Sequence, residues 1–204
     1  MKIINEGSTN MDKLRDPEIR EVLIERLILE HSKSSETLII NEMSVSQGLS
    51  RVDVAVLNGI MQGYEIKSES DKLIRLPLQV NEYNKVFERM TIVTADNYLE
   101  GVKKIVPSWW GIIKVTNKKG IPTLRTIKKG RVNPSLDSLA LAQLLWRDEA
   151  IDLLKKRGLE KGILSKPKRD IYKRIADSIK AEELKFEVNQ FLKSREGWRG
   201  HLIP

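Results

Sequence analysis

Two strand-like segments joined by a tight turn constrain the fold of this chain most strongly. The segment Ser50 to Leu57 (SRVDVAVL) alternates polar and apolar side chains, and Met61 to Lys67 (MQGYEIK) follows after Asn58-Gly59. Alternation with a period of two is typical of a half-buried strand, and Asn-Gly is a strong hairpin signal. We therefore expect two antiparallel strands that carry Asp53, Glu65 and Lys67 in a sheet.

Helical and strand patterns precede and follow this hairpin. Asp16-Pro17 opens a run with apolar side chains at helical spacing, which predicts an amphipathic helix over residues 16–31. The segment Thr37 to Met43 is rich in β-formers and predicts a strand. A second helix is predicted over about residues 76–89, followed by a short strand at residues 91–95 and a helix over residues 98–105.

The remaining chain divides into a basic hairpin and a helical region. The segments WWGIIKV and IPTLRTI flank the polar turn at residues 117–120, and helical spacing of apolar residues begins at Leu136. The order helix, three strands, helix, strand favours an α/β core with a central mixed sheet flanked by helices. We expect residues 1–134 to form that core with the basic hairpin, and residues 135–204 to form a helical C-terminal extension.

Composition excludes several classes of protein and of metal site. The chain has 204 residues, no cysteine and only two histidines, which excludes a disulfide framework and a structural zinc site. A metal must then be bound by oxygen, which favours magnesium, manganese or calcium. No apolar run is long enough to cross a membrane, and the N-terminus has no secretory pattern, so we expect a cytoplasmic protein.

Charge is distributed unevenly along the chain. Residues 1–102 have 12 Lys/Arg and 17 Asp/Glu, whereas residues 103–204 have 24 Lys/Arg and 11 Asp/Glu. A cluster of basic residues without intervening acids favours a polyanion such as DNA, although a solubilising surface explains a charge run equally well. The candidates for contacts with nucleic acid are Lys114, Lys118, Lys119, Arg125, Lys128, Lys129 and Arg131.

The hairpin places candidate catalytic groups on one surface. Glu65 and Lys67 lie two apart on a strand and therefore point to the same face. Asp53 shares that face only if it lies opposite an odd-numbered residue of the returning strand. A two-residue Asn58-Gly59 loop would pair Asp53 with Tyr64 instead, so the site hypothesis predicts a three-residue loop or a bulge with Gly59 at positive φ.

Two carboxylates that lie so close together favour the binding of a cation between them. At a separation of about 4 Å and partial screening they repel by about 4 kcal/mol, which a divalent cation would offset. Asp53, Glu65 and the backbone carbonyl of Ile66 could supply oxygen ligands for Mg²⁺ or Mn²⁺. The alternative is an ordinary surface hairpin with one Glu/Lys pair.

The arrangement resembles the core of the PD-(D/E)XK nuclease superfamily. Asp53 and Glu65-x-Lys67 on adjacent strands follow a helix and Glu42, and they precede a second helix. Gln79-x-x-x-Tyr83 resembles the QxxxY motif of the RecB-like exonuclease branch. The run GYEIKSESDKLIRLPLQVNEYNKVF, the later PSWWG and the closing REGWR are similar to small bacterial and phage proteins of that superfamily. The proline of the motif name is absent, since Val52 precedes Asp53.

The resemblance implies a restriction-endonuclease-like αβββαβ core and a role for each matched residue. Asp53 and Glu65 would bind the metal, with Glu42 as a further ligand, direct or through water. Lys67 would orient the attacking water and stabilise charge on the phosphate. Gln79 and Tyr83, four apart on one helical face, would position Lys67 or the nucleic-acid backbone.

Three further features allow two interpretations each, and a fourth allows one. His31 could imitate an upstream ligand of the RecB-like branch, but its place at a helix end favours capping or a surface role. Trp109-Trp110 could stack on bases or pack in the core. Asp71 and Arg75 could form a structural ion pair, and the tail at residues 195–199 could contact DNA or dock on the protein.

Three functions follow from these patterns. The first is Mg²⁺-dependent hydrolysis of DNA phosphodiester bonds, favoured because Asp53, Glu65 and Lys67 are all present. The second is a catalytically idle module of the same fold that binds DNA or a repair partner. The third is an interaction protein whose basic half binds an acidic protein, and a homo-oligomer is compatible with each of them.

Overall fold

A computed structural model describes residues 13–34, 36–118 and 121–195, together with the backbone of residues 200–202. The helices and strands alternate along the first two thirds of the chain, and helices predominate after that. Their bounds are α1 Asp16–His31, β1 Leu38–Val45, β2 Ser50–Leu57, β3 Met61–Lys67, α2 Leu76–Tyr83, β4 Arg89–Ala95, α3 Leu99–Ile105, β5 Gly111–Lys118, β6 Ile121–Lys128, α4 Ser138–Ala142, α5 Arg147–Lys156, α6 Lys168–Ser178, α7 Ala181–Ser194 and β7 Gly200–Leu202.

One mixed sheet organises these elements. Its strand order is β6-β5-β4-β3-β2-β1-β7, with β7 a three-residue strand at one edge and β6 at the other. The pairs β3–β4 and β4–β5 are parallel, because α2 and α3 return the chain to the same end of the sheet, and the other pairs are antiparallel. The predicted α/β class, with a mixed sheet flanked by helices, is confirmed.

Each face of the sheet packs against its own set of helices. On one face the apolar stripe of α1, formed by Ile19, Leu23 and Leu27, packs with Tyr64 and Ile66. Burying such a stripe against a sheet is the main source of stability for an amphipathic helix in water. The opposite face carries a larger cluster that includes α2, α3 and the C-terminal helices.

The helices after residue 135 belong to that larger cluster. Leu141, Leu154 and Leu184 have no exposed surface and share the cluster with Leu57 of β2 and Phe87. Residues 135–195 therefore pack on the same side of the sheet as α2. The described residues contain no helix that is both long and apolar enough to cross a membrane.

The loop between β2 and β3 has the length that the site hypothesis requires. Leu57 pairs with Met61, which leaves a three-residue loop at residues 58–60, and Val54 pairs with Tyr64. Gly59 occupies the left-handed region at φ 93°, which glycine adopts without a steric penalty. The prediction of a three-residue loop is therefore confirmed. The pairing of β2 with β3 ends at Val54 and Tyr64, and the carboxylate of the next residue, Asp53, accepts from the backbone N–H of Ile66.

The second helix ends earlier than the predicted residue 89. It stops at Tyr83, and β4 begins at Arg89 instead of residue 91. The side-chain amide of Asn133 donates to the backbone carbonyls of Asn84 and Phe87, at 2.7 and 2.9 Å. In a longer helix, backbone N–H groups would bind these carbonyls, but here Asn133 does so. Asn133 is distant in sequence, so no local pattern reveals where the helix ends.

Candidate metal and nucleic-acid site

The strand β1 is distorted at Glu42, next to Asp53 of β2. The register pairs Asn41 with Val54 and Met43 with Val52, so Glu42 and Asp53 lie opposite each other. Glu42 has φ 56°, a left-handed conformation that costs a non-glycine residue about 1–2 kcal/mol. Strain of this kind is concentrated at functional sites, so the distortion directs attention to this pair.

Asp53 is held by one strand and one helix. Its Oδ2 accepts a hydrogen bond of 2.7 Å from the backbone N–H of Ile66 on β3. Its Oδ1 accepts from Nη2 of Arg20 on α1 at 3.0 Å. The carboxylate therefore lies between β2 and β3 with its second oxygen turned to α1, whereas α2, on the other face of the sheet, supplies partners of Glu65.

Glu65 is the centre of a buried polar cluster beneath α2. The side chain is only 1% exposed. Its Oε1 accepts from Lys67 Nζ and from Gln79 Nε2, each at 2.5 Å. The Tyr83 hydroxyl is 2.8 Å from both Glu65 Oε2 and the carbonyl of Arg51, and its single proton serves one of these acceptors at a time. The structure thus brings Glu65, Lys67, Gln79 and Tyr83 together.

The two carboxylates of the site hold protons more tightly than ordinary acids. Burial raises the pKa of Asp53 to about 7, with a further contribution from the charge of Glu65. Burial also raises the pKa of Glu65, against the lowering effect of Lys67. Burial together with the charge of Glu65 raises the pKa of Tyr83. The charge of Glu65 acts on Asp53, so the two acids repel when both are ionised.

The donor set fits a hard cation only in part. Asp53 and Glu65 offer carboxylate oxygens of the kind that Mg²⁺ prefers, and a divalent cation would lower both raised pKa values. Gln79 Oε1 is buried without a hydrogen-bond partner among the described residues. Those same residues contain no cluster of three or more acidic or histidine side chains arranged to hold a metal. Protein ligands would therefore be few, which is the usual situation for Mg²⁺.

Glu42 is linked to the site through a cation that sequence reasoning missed. Arg20 lies 3.7 Å from Glu42, 3.0 Å from Asp53 and 2.7 Å from Asp16. Arg51 lies 3.6 Å from the other oxygen of Glu42. The spacing Asp16-x-x-x-Arg20 was visible as a helical pair, but nothing local signalled that Arg20 reaches β1 and β2.

A row of polar residues crosses the sheet from Lys67. The parallel registers pair Lys67 with Thr94 and Thr94 with Lys114, and the antiparallel register pairs Lys114 with Arg125. Directly paired residues share a face, and neighbouring strands are about 4.8 Å apart. The row therefore leads from Glu65 and Lys67 to the basic hairpin. Lys114 also pairs with Asp96 at 3.1 Å.

The other predicted basic residues surround the base of that hairpin. Lys128 Nζ and Arg131 Nη2 both donate to the carbonyl of Ser108, at 3.3 and 3.4 Å. Burial and the neighbouring Arg131 lower the pKa of Lys128. Lys118 and Lys129 are exposed, and Lys119 lies outside the described residues.

The aromatic pair and His31 lie outside the site. Trp109 and Trp110 are 8% and 0% exposed and belong to the core, so the base-stacking interpretation of this pair is wrong. Trp110 Nε1 donates to Asn84 Oδ1 at 2.8 Å. His31 Nδ1 accepts from the side-chain amide of Asn58, in the loop at the end of the hairpin far from Asp53.

Asp71 does not form the expected ion pair, whereas Arg195 at the start of the tail follows the docking interpretation. Within the described residues Asp71 does not pair with Arg75; it accepts from the backbone N–H and the hydroxyl of Ser68, each at 2.7 Å. Arg195 forms two contacts of 2.6 Å with Glu149 and so docks on the protein. Residues 196–199, with Trp198, lie outside the described residues.

Comparison with known proteins identifies a phage family. Residues 9–199 match the family described as bacteriophage P4 protein cII. The chain belongs to the bacteriophage P4 protein cII family. Protein cII of Enterobacteria phage P4 is 36% identical over 146 residues, which is 72% of this chain and 55% of the phage protein. The chain thus spans about half the length of this cII relative.

One solved structure resembles this member of the cII family weakly. A protein of unknown function from Silicibacter pomeroyi matches 70% of this chain and 94% of its own length, with 18% identity and a TM-score of 0.39. A likeness of this size carries no argument about activity.

Proposed function

We propose that this protein is a metal-dependent nuclease that hydrolyses DNA phosphodiester bonds. The observation that carries the proposal is that Asp53 on β2 accepts from the backbone N–H of Ile66, the residue after Glu65 on β3, and that Lys67 is hydrogen-bonded to Glu65 at 2.5 Å. Two buried acids with raised pKa values beside a buried lysine are costly to keep unless they serve a function. The element order αβββαβ supports a restriction-endonuclease-like core of the PD-(D/E)XK type.

The side chains divide into those that would hold the cation and those that position them. Asp53 and Glu65 would bind Mg²⁺ or Mn²⁺, with the carbonyl of Ile66 and, through water, Glu42 as further ligands. A bound divalent cation supplies a hydroxide near neutral pH and a counter-charge for the phosphate. Lys67 orients the attacking water and donates to the phosphate oxygen as negative charge develops. Gln79 and Tyr83 hold Glu65 in its rotamer and are positioning residues.

The basic half of the chain would bind the DNA backbone. The row from Lys67 through Lys114 to Arg125 runs across three strands beyond the site. Lys118, Lys128, Lys129 and Arg131 extend the positive charge around the hairpin, and Lys119 adds one more positive charge to this part of the sequence. Each lysine or arginine placed on a phosphate displaces counterions, so this surface would bind DNA without reading its sequence.

The test is cleavage of DNA by the purified chain in Mn²⁺ or Mg²⁺, with linear, circular and single-stranded substrates. Lys67→Ala should abolish cleavage and leave DNA affinity nearly unchanged, because one buried lysine contributes little to a large basic surface. Asp53→Ala should also remove the metal-dependent rise in melting temperature. Lys67→Met removes the charge but keeps most of the volume of the side chain. Loss of activity in this variant is therefore not due to a cavity that unfolds the protein.

An exposed lysine provides the matched control. Lys103 pairs with Glu100 on the surface of α3, and Lys103→Ala should retain full activity. Equal cleavage by the wild type, Lys67→Ala and Asp53→Ala would assign the activity to a contaminating nuclease and refute the proposal.

A second candidate is a catalytically idle module that binds DNA or a partner protein. It is favoured by Arg20, which bridges Asp16, Glu42 and Asp53 and so supplies a positive charge where a metal would act. Salt-sensitive retardation of DNA without cleavage in either metal would support this module. Absence of DNA binding at low salt would support an interaction with an acidic protein instead.

A further inference from the structure

A cavity of about 670 Å³ lies between β1 and the C-terminal helices, next to the candidate site. This volume is within the range of about 300–1,000 Å³ that is typical of small-ligand pockets. Glu42 lines the cavity, and its carboxylate lies 3.7 Å from Arg20, which also pairs with Asp53. A group that occupies the cavity is therefore a neighbour of Glu42, and Arg20 links Glu42 to Asp53.

Trp146 forms an aromatic wall of this cavity. It is 57% exposed, in contrast to the buried Trp109 and Trp110. The guanidinium of Arg195 lies 4.4 Å from the centre of its ring, and Glu149 holds Arg195 through two contacts of 2.6 Å. A partly exposed aromatic ring fixed in this way is suited to stacking with another flat group, as bases do on single-strand binding proteins.

The remaining walls carry amide groups and a cation. Asn41, Gln47 and Gln143 line the cavity together with Lys168. Asn41 Oδ1 is buried and has no hydrogen-bond partner among the described residues. Buried polar atoms are normally satisfied, so an unpaired acceptor in a cavity wall indicates a donor from a ligand. Side-chain amides are the groups that pair with the edges of bases, and lysine binds phosphate.

The rim of the cavity is conformationally strained. Gln47 and Glu42, which both line it, have φ of 56°. Left-handed conformations at non-glycine residues persist where the surrounding structure enforces them, commonly around ligand sites. The strained residues, the aromatic ring and the side-chain amides therefore all line the same cavity.

We propose that this cavity receives a nucleobase of the DNA strand, from a nucleotide near the scissile phosphate, stacked on Trp146. The inference rests on the proposed function, because it takes nucleic acid as the substrate. It predicts that affinity depends on the presence of bases as well as on backbone charge. It also gives the C-terminal helices a direct part in binding the substrate.

The experiment compares two single strands of equal length and charge, one of thymidylates and one abasic, with the full chain in EDTA to prevent cleavage. Fluorescence anisotropy of an end label gives both affinities. The wild type should bind the thymidylate strand about tenfold more tightly or better. Trp146→Ala should remove this difference and leave the affinity for the abasic strand unchanged, whereas Trp146→Tyr should retain most of the preference.

The control is an aromatic residue of equal exposure elsewhere. Phe186 on α7 is 58% exposed and does not line the cavity, so Phe186→Ala should retain the preference for bases. Gln143→Ala should weaken binding of the thymidylate strand alone. Equal affinity of the wild type for both strands, or a preference that survives Trp146→Ala, would overturn this inference and leave the proposed function standing. Failure to bind either strand or duplex DNA at low salt would overturn both.

Discussion

At the scale of single residues, the site is defined by charges that are kept away from water. Asp53 and Glu65 are acids whose burial raises both pKa values, and Lys67 and Arg20 are the cations that offset their charge. Removing Lys67 is more costly than never burying the Lys67–Glu65 pair, because the charge of Glu65 is left uncompensated. Substitutions here therefore affect stability and activity together.

The raised pKa of Asp53 predicts how stability changes with pH. In the unfolded chain the carboxylate ionises near pH 3.8, and in the folded protein near pH 7. Between these values the folded state holds the proton more tightly, so the free energy of unfolding falls as the pH rises. The decrease attributable to Asp53 has an upper bound of about 4 kcal/mol and is complete above pH 7.

Asp53→Asn should remove this component of the pH dependence. The variant should be more stable than the wild type at pH 8 in EDTA, and the difference should shrink as the pH is lowered towards 4. Urea denaturation at several pH values measures it, with Glu100→Gln, at an exposed carboxylate, following the wild-type profile as a control. A pH profile of Asp53→Asn that matches the wild type would contradict the raised pKa.

Some of these residues were predictable and others were not. The shared face of Glu65 and Lys67 follows from strand alternation, and the adjacency of Gln79 and Tyr83 follows from helical spacing. Arg20 and Trp146 were not found, because each acts through contacts with strands or helices remote in sequence. The exposure of Trp146 also depends on how α5 packs, which no local pattern specifies.

At the scale of elements, close contact between neighbouring backbones fixes β5 in the sheet. A Cβ atom at Gly111 would lie 2.9 Å from the backbone nitrogen of Gly130 and 2.7 Å from Thr91 Oγ1. Backbone atoms cannot move aside as the end of a flexible side chain can. The absence of a side chain at Gly111 thus sets how β5 lies against β4 and the segment after β6.

Gly111→Ala should lower the free energy of unfolding by about 1–3 kcal/mol, the usual cost of overpacking. In a chain of this size each kcal/mol corresponds to a shift of about 2–4 °C in melting temperature. Gly101→Ala is the matched control, since its Cβ would meet only the flexible end of Leu73 at 2.9 Å. Thermal melts followed by circular dichroism compare the two, and equal melting temperatures would refute the role of Gly111.

The sequence predicted the type of most elements but not their ends. The three-residue loop at residues 58–60 was derived from the requirement that Asp53 face Glu65, and it is present. The end of α2 was misplaced because Asn133 binds the carbonyls after Tyr83. Helix ends depend on which group satisfies the last carbonyls, and that group can come from anywhere in the chain.

At the scale of the whole molecule, the acidic and basic halves of the sequence occupy different parts of one sheet. The acidic half supplies β1 to β4, and the basic half supplies β5 and β6. The acidic half contributes Asp53 and Glu65, and the basic half contributes Lys114 and Arg125 on the row of paired residues that begins at Lys67, two residues after Glu65. Opposite charges arranged in this way guide a polyanion toward the site over distances comparable to the Debye length, about 10 Å at 0.1 M salt.

Arg125→Ala should weaken binding of duplex DNA to a similar degree for unrelated sequences. The slope of log affinity against log salt should decrease in magnitude by about 0.9, the value for one phosphate contact. Lys33→Ala, at an exposed lysine in the acidic half, should leave the slope unchanged. Titrations at several salt concentrations measure both slopes. An unchanged slope for Arg125→Ala would remove this arginine from the DNA surface.

Because β6 is an edge strand, its charged residues also oppose pairing with strands of other molecules. A border strand can pair with a strand of another molecule unless charged side chains or proline oppose it, and β6 carries Pro122, Arg125 and Lys128. Replacing several of these residues at once would therefore invite intermolecular strand pairing and aggregation. Loss of DNA binding in such a multiple variant would need a check of its solution size before it is attributed to charge.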